Sequence, residues 1–395
     1  MTQQQLLNGL RIVDLSRVMS GPYCTALLAD VGAEVIKIET PVTGDDSRHF
    51  GPFVDGRSVY FSLLNRNKKS VTLNLKDERA REMLYALVDT ADAVVENFRP
   101  GVAQRLGVDY ETLKARNPSL VYLSISGFGQ QGEFKGRPAY DLIIQAMSGL
   151  MSTTGRPGQE PTCVGDSVAD LVTGLFGAWS LMTALFARER DGQGRQIDLS
   201  MFDAMLALQL TSASRLFASG TAPQRVGNRH PVTSPVDCFE ARDGWAVIVV
   251  SNDGFFRRFA PLIGKPEWVE DPRFVDNLQR ARNEPALKAA ITAWSRERTV
   301  DEVVQACLEA DVPAGPVWDL QQAHAQSARQ DRGRVAQAQD VERPWPFVLQ
   351  PAVFSSGDPA KVQADPLLGA HTDEVLQGIG IAPADLAQLR ARGAV

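Results

Sequence analysis

The stretch LRIVDLSRVMSGPYCTALLADVGAEVIKIE, Leu10 to Glu39, sets two short β-branched runs on either side of a helical pattern. Leu10–Ser16 and Ala33–Glu39 are rich in Val and Ile, side chains that suit a pleated, half-buried surface. Between them GPYCTALLADVG carries apolar residues at helical spacing, with Pro22 where a first helical turn tolerates it. The reading is strand, helix, strand, the unit from which parallel sheets are built. It recurs: Ser70–Leu75 reads as a strand, Asp77–Ala91 as a helix, Ala93–Phe98 as a strand, and Leu120–Gly129 as another strand after a further helical stretch. The expected fold is α/β, with an open, mostly parallel, Rossmann-like sheet covered by helices. Such sheets bind ligands beyond the carboxyl ends of their strands, so the loops SRVMSGP (16–22) and ENFRPG (96–101) are the first site candidates.

Texture changes after about Leu210. Val236–Val250 reads as a hairpin, because Asp243-Gly244 separates two β-rich runs, and helical patterns follow at Phe255–Gly264 and Asn277–Glu297. Pro and Gly recur from Pro313 to Pro366 while periodicity weakens, which suggests an extended connection; the final residues are helical again. The expected organisation is a large α/β domain over 1–203, a linker over 204–226, a small α+β domain over 227–320, an extended linker over 321–365, and C-terminal helices over 366–395 that return to the large domain.

Composition narrows the function. The 395 residues are 44 % hydrophobic and 22 % charged with a net charge of −6, an ordinary soluble composition without the basic excess of a nucleic-acid binder. Four dispersed cysteines do not read as a disulfide framework, and four dispersed histidines form no metal-ligand spacing, so no metal is expected. The amino terminus shows no secretory pattern, and the expected location is cytoplasmic. Leu171–Ala187 is uncharged but short of the roughly 20 apolar residues of a membrane span. Gly174, Gly177, Ser180 and Thr183 give it a small-residue stripe, so a buried central helix fits better than a membrane helix.

The turn after the first strand lacks GxGxxG, and no GxxxxGK[ST] occurs, which removes support for NAD and ATP. Arg17 nevertheless sits beside the amino end of a helix, where a guanidinium and backbone N–H groups can hold phosphate; an exposed surface arginine is the alternative. In GDSVADLVTG (165–174), Asp170 stands at the lip of the apolar segment. Two roles are open to it there: a helix N-cap, or a carboxylate held partly out of water for chemistry.

Several ordered stretches carry a resemblance: Leu7–Glu39, GDDSRHFGP, LNRNKKSVTLNL, VENFRPG, RPAYDLIIQAMSGLM, VADLVTG and LLGAHTDEVL. Together they resemble the class III CoA-transferases, the group that includes formyl-CoA transferase and carnitine CoA-transferase. The resemblance implies interlocked homodimers of two-domain subunits, an acyl-CoA and a small carboxylic acid as substrates, no tightly bound cofactor, and neither nucleic acid nor membrane as partner. It implies that Asp170 is the nucleophile that carries the acyl group and then CoA, and that Leu73, Lys76, Asn97, Phe98, Arg105 and Tyr140 contact CoA.

The chemistry suits those residue types. A carboxylate can attack a thioester without a general base, being ionised at neutral pH unless its pKa is strongly raised. Arg105 and Lys76 can meet phosphates, Phe98 can pack on adenine or pantetheine, and Asn97 or Tyr140 can hydrogen-bond the amides. Formyl-CoA transferase has His and Gln in place of Arg17 and Met19, and Arg in place of Thr40, so contacts there do not carry over; Arg17 is retained on its charge. Acyl-CoA racemases of the same fold use a His-Asp pair where this chain has Tyr140-Asp141, which argues against α-proton abstraction. A catalytically silent CoA-binding protein is the other alternative. Gly227–Gly244 has no glycine run, so formate–oxalate specificity does not carry over. The expected acceptor is a dicarboxylic acid with succinyl-CoA as donor, and Arg48 and Arg229 are the candidates to clamp its remote carboxylate.

Overall fold

The computed structural model describes residues 5–330, 332–338, 345–356 and 362–395. Contacts divide the chain into two units: residues 1–150, 163–214 and 331–395 form the first, and residues 151–162 and 215–330 the second.

Six strands form the sheet of the first unit: β1 (Arg11–Asp14), β2 (Glu34–Glu39), β3 (Lys68–Thr72), β4 (Ala93–Glu96), β5 (Val121–Ser126) and β6 (Arg195–Ser200). Their order is β3-β2-β1-β4-β5-β6, and every neighbouring pair is parallel. This is the doubly wound arrangement in which the chain reverses direction across the sheet between β1 and β4, opening a crevice at their carboxyl ends. The expected α/β fold is therefore present, and β6 completes it.

Alternation along the strands feeds two cores. Val13, Ile36, Val71 and Val94 face one side, where α3 (Glu78–Val88) supplies Leu84 and Leu87. The C-terminal helices Thr372–Gly378 and Pro383–Ala391 add Val375, Leu376, Leu386 and Leu389 to that core. Ile12, Val35, Val95 and Leu123 face the other side, against α1 (Ser20–Ala29) and the 24-residue α6 (Val168–Asp191). Two further helices bear on the site: α2 (Val59–Asn65) and α5 (Asp141–Met147). Between α3 and α5 the short α4 (Val102–Leu106) follows the β4 loop.

The stripe on α6 has a specific use. A Cβ on Gly174 would lie 2.8 Å from Tyr23 Cδ1 and 2.9 Å from the Ser20 carbonyl oxygen, and one on Gly177 would lie 3.1 Å from Cys24 Sγ. Glycine at both positions lets α6 press onto the amino end of α1. By length and composition α6 could cross a membrane. Here Thr173, Gly174, Gly177, Leu181 and Leu185 are buried instead along a core-facing side.

In the second unit, Val236–Ala241 and Gly244–Val249 form the expected antiparallel hairpin, joined by Ala314–Pro316. The helical pattern at 277–297 is two helices, Asn277–Arg282 and Glu284–Arg296, broken at Asn283 before Pro285. Residues 201–219 form two helices, Met201–Leu208 and Leu210–Ser219, where the sequence suggests that a linker begins. The expected extended segment 321–365 holds most of helix Leu320–Gln330 and the short paired strands Val335–Gln337 and Pro346–Val348. Residues 331, 339–344 and 357–361 of that segment lie outside the described residues.

Candidate active site

Two cavities open at the crevice between β1 and β4. The larger, about 330 Å³, is walled by Leu15, Ile38, Leu73, Leu75 and Leu106, with the exposed Lys76 and Arg105 among its lining. The smaller, about 190 Å³, is lined by Met19, Ser20, Asn97, Arg99, Arg137, Tyr140 and Asp170. Arg17 and Phe98 line both, so the turn after β1 and the loop after β4 lie between them. An apolar cavity with cations in its lining thus adjoins a polar one that contains a carboxylate.

Asp170 is in the first turn of α6, and it does not cap that helix. The N-cap position belongs to Ser167, whose side chain makes no capping bond. The capping acceptor comes from α5 instead: Asp141 Oδ1 accepts from the Ala169 N–H at 2.7 Å, while Gln145 Nε2 donates to Asp141 Oδ2 at 2.6 Å. Asp170 is thereby free to face the cavity, whose lining it shares with Ser20 at the start of α1. Burial, and then repulsion from Asp141, push its pKa up to about 7 against the lowering effect of Ser20. The sequence alone leaves it ionised unless strongly shifted; the structure supplies that shift. Burial and the carboxylates of Asp170, Asp45, Asp166 and Asp141 also raise the Tyr60 phenol on α2 above its usual range.

The other candidates separate clearly. Leu73, Lys76 and Arg105 gather at the larger cavity, Tyr140 and Asn97 at the smaller, and Phe98 at both. The Asn97 amide is already engaged: Arg17 N–H donates to Oδ1 at 2.8 Å, and Nδ2 donates to the Arg17 carbonyl at 2.7 Å. Met19 lines the smaller cavity and Thr40 the larger. Arg17 is exposed and, among the described residues, reaches Asp46 at 3.5 Å. Arg48 is not available to a substrate. Its Nε and Nη2 donate to the two oxygens of buried Glu39 at 2.7 and 2.6 Å, Nη1 donates to the Pro366 carbonyl, and its guanidinium stacks 3.8 Å from the Phe61 ring centroid. Arg229 belongs to the second unit, in a narrow cleft with His230, Glu284 and Lys288.

Residues 7–372 match the profile described as CoA-transferase family III. The chain belongs to CoA-transferase family III. It is 47 % identical over 317 residues to the acetyl-CoA:oxalate CoA-transferase of Acetobacter aceti, covering 80 % of this chain and 82 % of that one. It is 36 % identical to the succinate–glutarate CoA-transferase of Agrobacterium fabrum, covering 94 % of each. A crystal structure of a CAIB/BAIF family protein from Brucella suis superposes with a TM-score of 0.85 at 37 % identity, covering 95 % of this chain and all of that one.

Sequence reasoning about this CoA-transferase missed several residues that the fold brings to the site. Ser20 and Asp141 both stood inside quoted motifs without a role, because their relation to Asp170 is set by helix packing. Arg99 and Arg137, in ENFRPG and GRPAYD, line the smaller cavity and have no carboxylate partner among the described residues. Arginines beside the motif residues were the available signal.

Proposed function

We propose that Asp170 is the acyl and CoA carrier, and that the enzyme moves CoA from an acyl-CoA donor to a dicarboxylic acid. The observation that carries the reading is that Arg17 and Phe98 line both cavities, which sets the cationic one beside the one that holds Asp170. The nucleotide end of CoA lies in the larger cavity, with Lys76 and Arg105 on its phosphates, and the thioester reaches Asp170 in the smaller. Asp170 attacks the donor carbonyl and CoA leaves as thiolate, giving a mixed anhydride. The thiolate attacks the aspartyl carbonyl and expels the donor acid, leaving CoA as a thioester on Asp170. The acceptor carboxylate repeats both steps in reverse order and departs as acyl-CoA, which regenerates the free carboxylate.

The environment of Asp170 supports this role. A site that pushes a carboxyl up to about 7 disfavours its charge, and both covalent intermediates are neutral at that side chain. Ser20, in the same cavity, can donate to the aspartyl oxygen when the thiolate or the acceptor attacks the aspartyl carbon.

The dicarboxylate reading rests on the relatives named for oxalate and for succinate and glutarate, and on Arg99 and Arg137 in the same cavity as Asp170. These two replace Arg48 and Arg229 as the groups to meet a remote carboxylate. A homodimer belongs to the same proposal, since α6 exposes Leu175, Trp179 and Phe186 at 49, 66 and 60 %, beside exposed Leu206 and Leu208. The test is acetyl-CoA and succinyl-CoA against mono- and dicarboxylic acids, read by mass spectrometry of the CoA products and of the trapped enzyme. New acyl-CoA from dicarboxylates and a CoA-sized adduct on Asp170 are expected. Equal turnover of monocarboxylates, or an adduct on another residue, defeats the proposal.

A further inference from the structure

The turn from Ser16 to Ser20 is held almost entirely by side chains from elsewhere. Ser16 N–H donates to Asp14 Oδ1 at 2.9 Å, and the Ser16 carbonyl accepts from Lys37 Nζ at 2.8 Å. Asn97 takes both polar groups of the Arg17 backbone. Val18 N–H donates to Asp45, at 3.1 Å to Oδ1 and 3.3 Å to Oδ2. Every backbone polar group from Ser16 N to Val18 N is thus satisfied by a side chain.

The clamp holds an unfavourable conformation. Val18 has φ 67°, in the left-handed region where a β-branched residue is strained. Asp45 is itself anchored, paired with Lys37 at 2.8 Å, both fully buried, and accepting from Ser47 N–H and hydroxyl at 2.9 and 2.7 Å. Burial alone would raise its carboxyl, but Lys37 and Ser47 outweigh that and hold it well below the usual carboxylate range. Two residues past Val18, Ser20 begins α1, lines the same cavity as Asp170 and packs against the Asp170 helix at Gly174.

We propose that Asn97 and Asp45 are positioning residues that clamp the strained Val18 turn and so hold Ser20 against Asp170. The proposal rests on Asp170 being the carrier. Strain of this kind persists only where surrounding contacts over-determine it. Release of the turn withdraws Ser20, whose presence lowers the Asp170 pKa, so the acid limb of the rate profile moves up. The charged and titratable groups facing Asp170 are Asp141 from α5, Tyr60 from α2, and Arg17, Asp46, Arg99 and Arg137 along the cavity. None of them changes in the variants below. If Asp45 acted on Asp170 only through its charge, removing it would move the acid limb down. The sign separates the two mechanisms.

The experiment uses the full-length enzyme with Asn97→Ala, Asp45→Ala, and Asn97→Ala combined with Val18→Gly. Three quantities are read: kcat against pH with the donor and acceptor that wild type turns over fastest, CoA affinity by calorimetry, and the mass-labelled residue in wild type. For Asn97→Ala the expected result is a fall in kcat of about tenfold or more, the scale of a lost hydrogen bond to a charged group. Its acid limb should rise by about half a pH unit. Val18→Gly, free to adopt φ 67°, should recover most of the rate and return the limb. Asp45→Ala should shift the limb in the same upward direction; should that buried variant not fold, the half-buried Asn97 carries the test alone. Weaker CoA binding at unchanged kcat and limb would assign Asn97 to CoA and overturn the proposal. A label on a residue other than Asp170 would instead strike the carrier reading itself, and the clamp would then have no object.

Discussion

Asp170→Asn should abolish transfer and, at pH 8, make the protein harder to unfold. Folding raises the Asp170 carboxyl from 3.8 to about 7. That rise is about three units, each worth about 1.36 kcal/mol, so the ionised group opposes folding by at most about 4 kcal/mol. Asp170 keeps some access to solvent, and screening reduces this to about 2 kcal/mol. The sign follows from proton binding. Between the unfolded value of 3.8 and the folded value of about 7, the native chain holds a proton that the unfolded chain has lost. Stability contributed by this group is therefore complete below the lower value and falls as pH rises through the window. The amide introduced by Asp170→Asn has no such proton to lose and keeps an oxygen to accept from Ser20. The variant's advantage should be about 2 kcal/mol at pH 8 and shrink to less than half of that near pH 5. Urea unfolding at both pH values and one fixed protein concentration checks this. A variant no more stable than wild type at pH 8 would mean that the site does not press on the charge, and the account of a carboxylate poised for attack would fall.

Gly174→Ala should destabilise by about 1–3 kcal/mol and slow transfer, because its Cβ meets the Ser20 carbonyl and Tyr23. Gly177→Ala, which meets Cys24 Sγ, should do less on both counts; thermal melts and turnover rank the pair. Arg48→Ala should cost about 3–5 kcal/mol, since Glu39 is left buried without its bidentate partner, while the folded enzyme keeps its acceptor KM. A selective loss of dicarboxylate affinity without loss of stability would restore Arg48 as a substrate clamp. Lys76→Ala and Arg105→Ala should each raise the acyl-CoA KM by about five- to tenfold with kcat unchanged, an effect that shrinks at high salt. Unchanged KM in both would place the phosphates elsewhere.

Much of this molecule is legible in local pattern. The Val- and Ile-rich runs around GPYCTALLADVG announce a parallel strand pair, and Asp243-Gly244 announces a hairpin, because both signals depend on residues within one or two turns of chain. β6 escaped because RQIDLS alternates exposed and half-buried residues at a sheet edge, a weak signal beside the continuous runs of the interior strands. The break at Asn283 escaped because apolar spacing continues across it.

The sequence by itself determined the first five strands of the sheet and the helices between them, the two loops that meet at the crevice, and the motifs that single out Asp170. Only the tertiary structure decided where each charged side chain sits and what it pairs with. Arg48 and Arg137 look alike in sequence, yet one is locked on Glu39 and the other lines the cavity with Asp170. The state of Asp170 likewise depends on Asp141 and Ser20, brought to it from distant segments. Hydrophobic periodicity is a property of neighbours along the chain, whereas Coulomb interaction and desolvation depend on distances through space, and those exist only once the helices have packed.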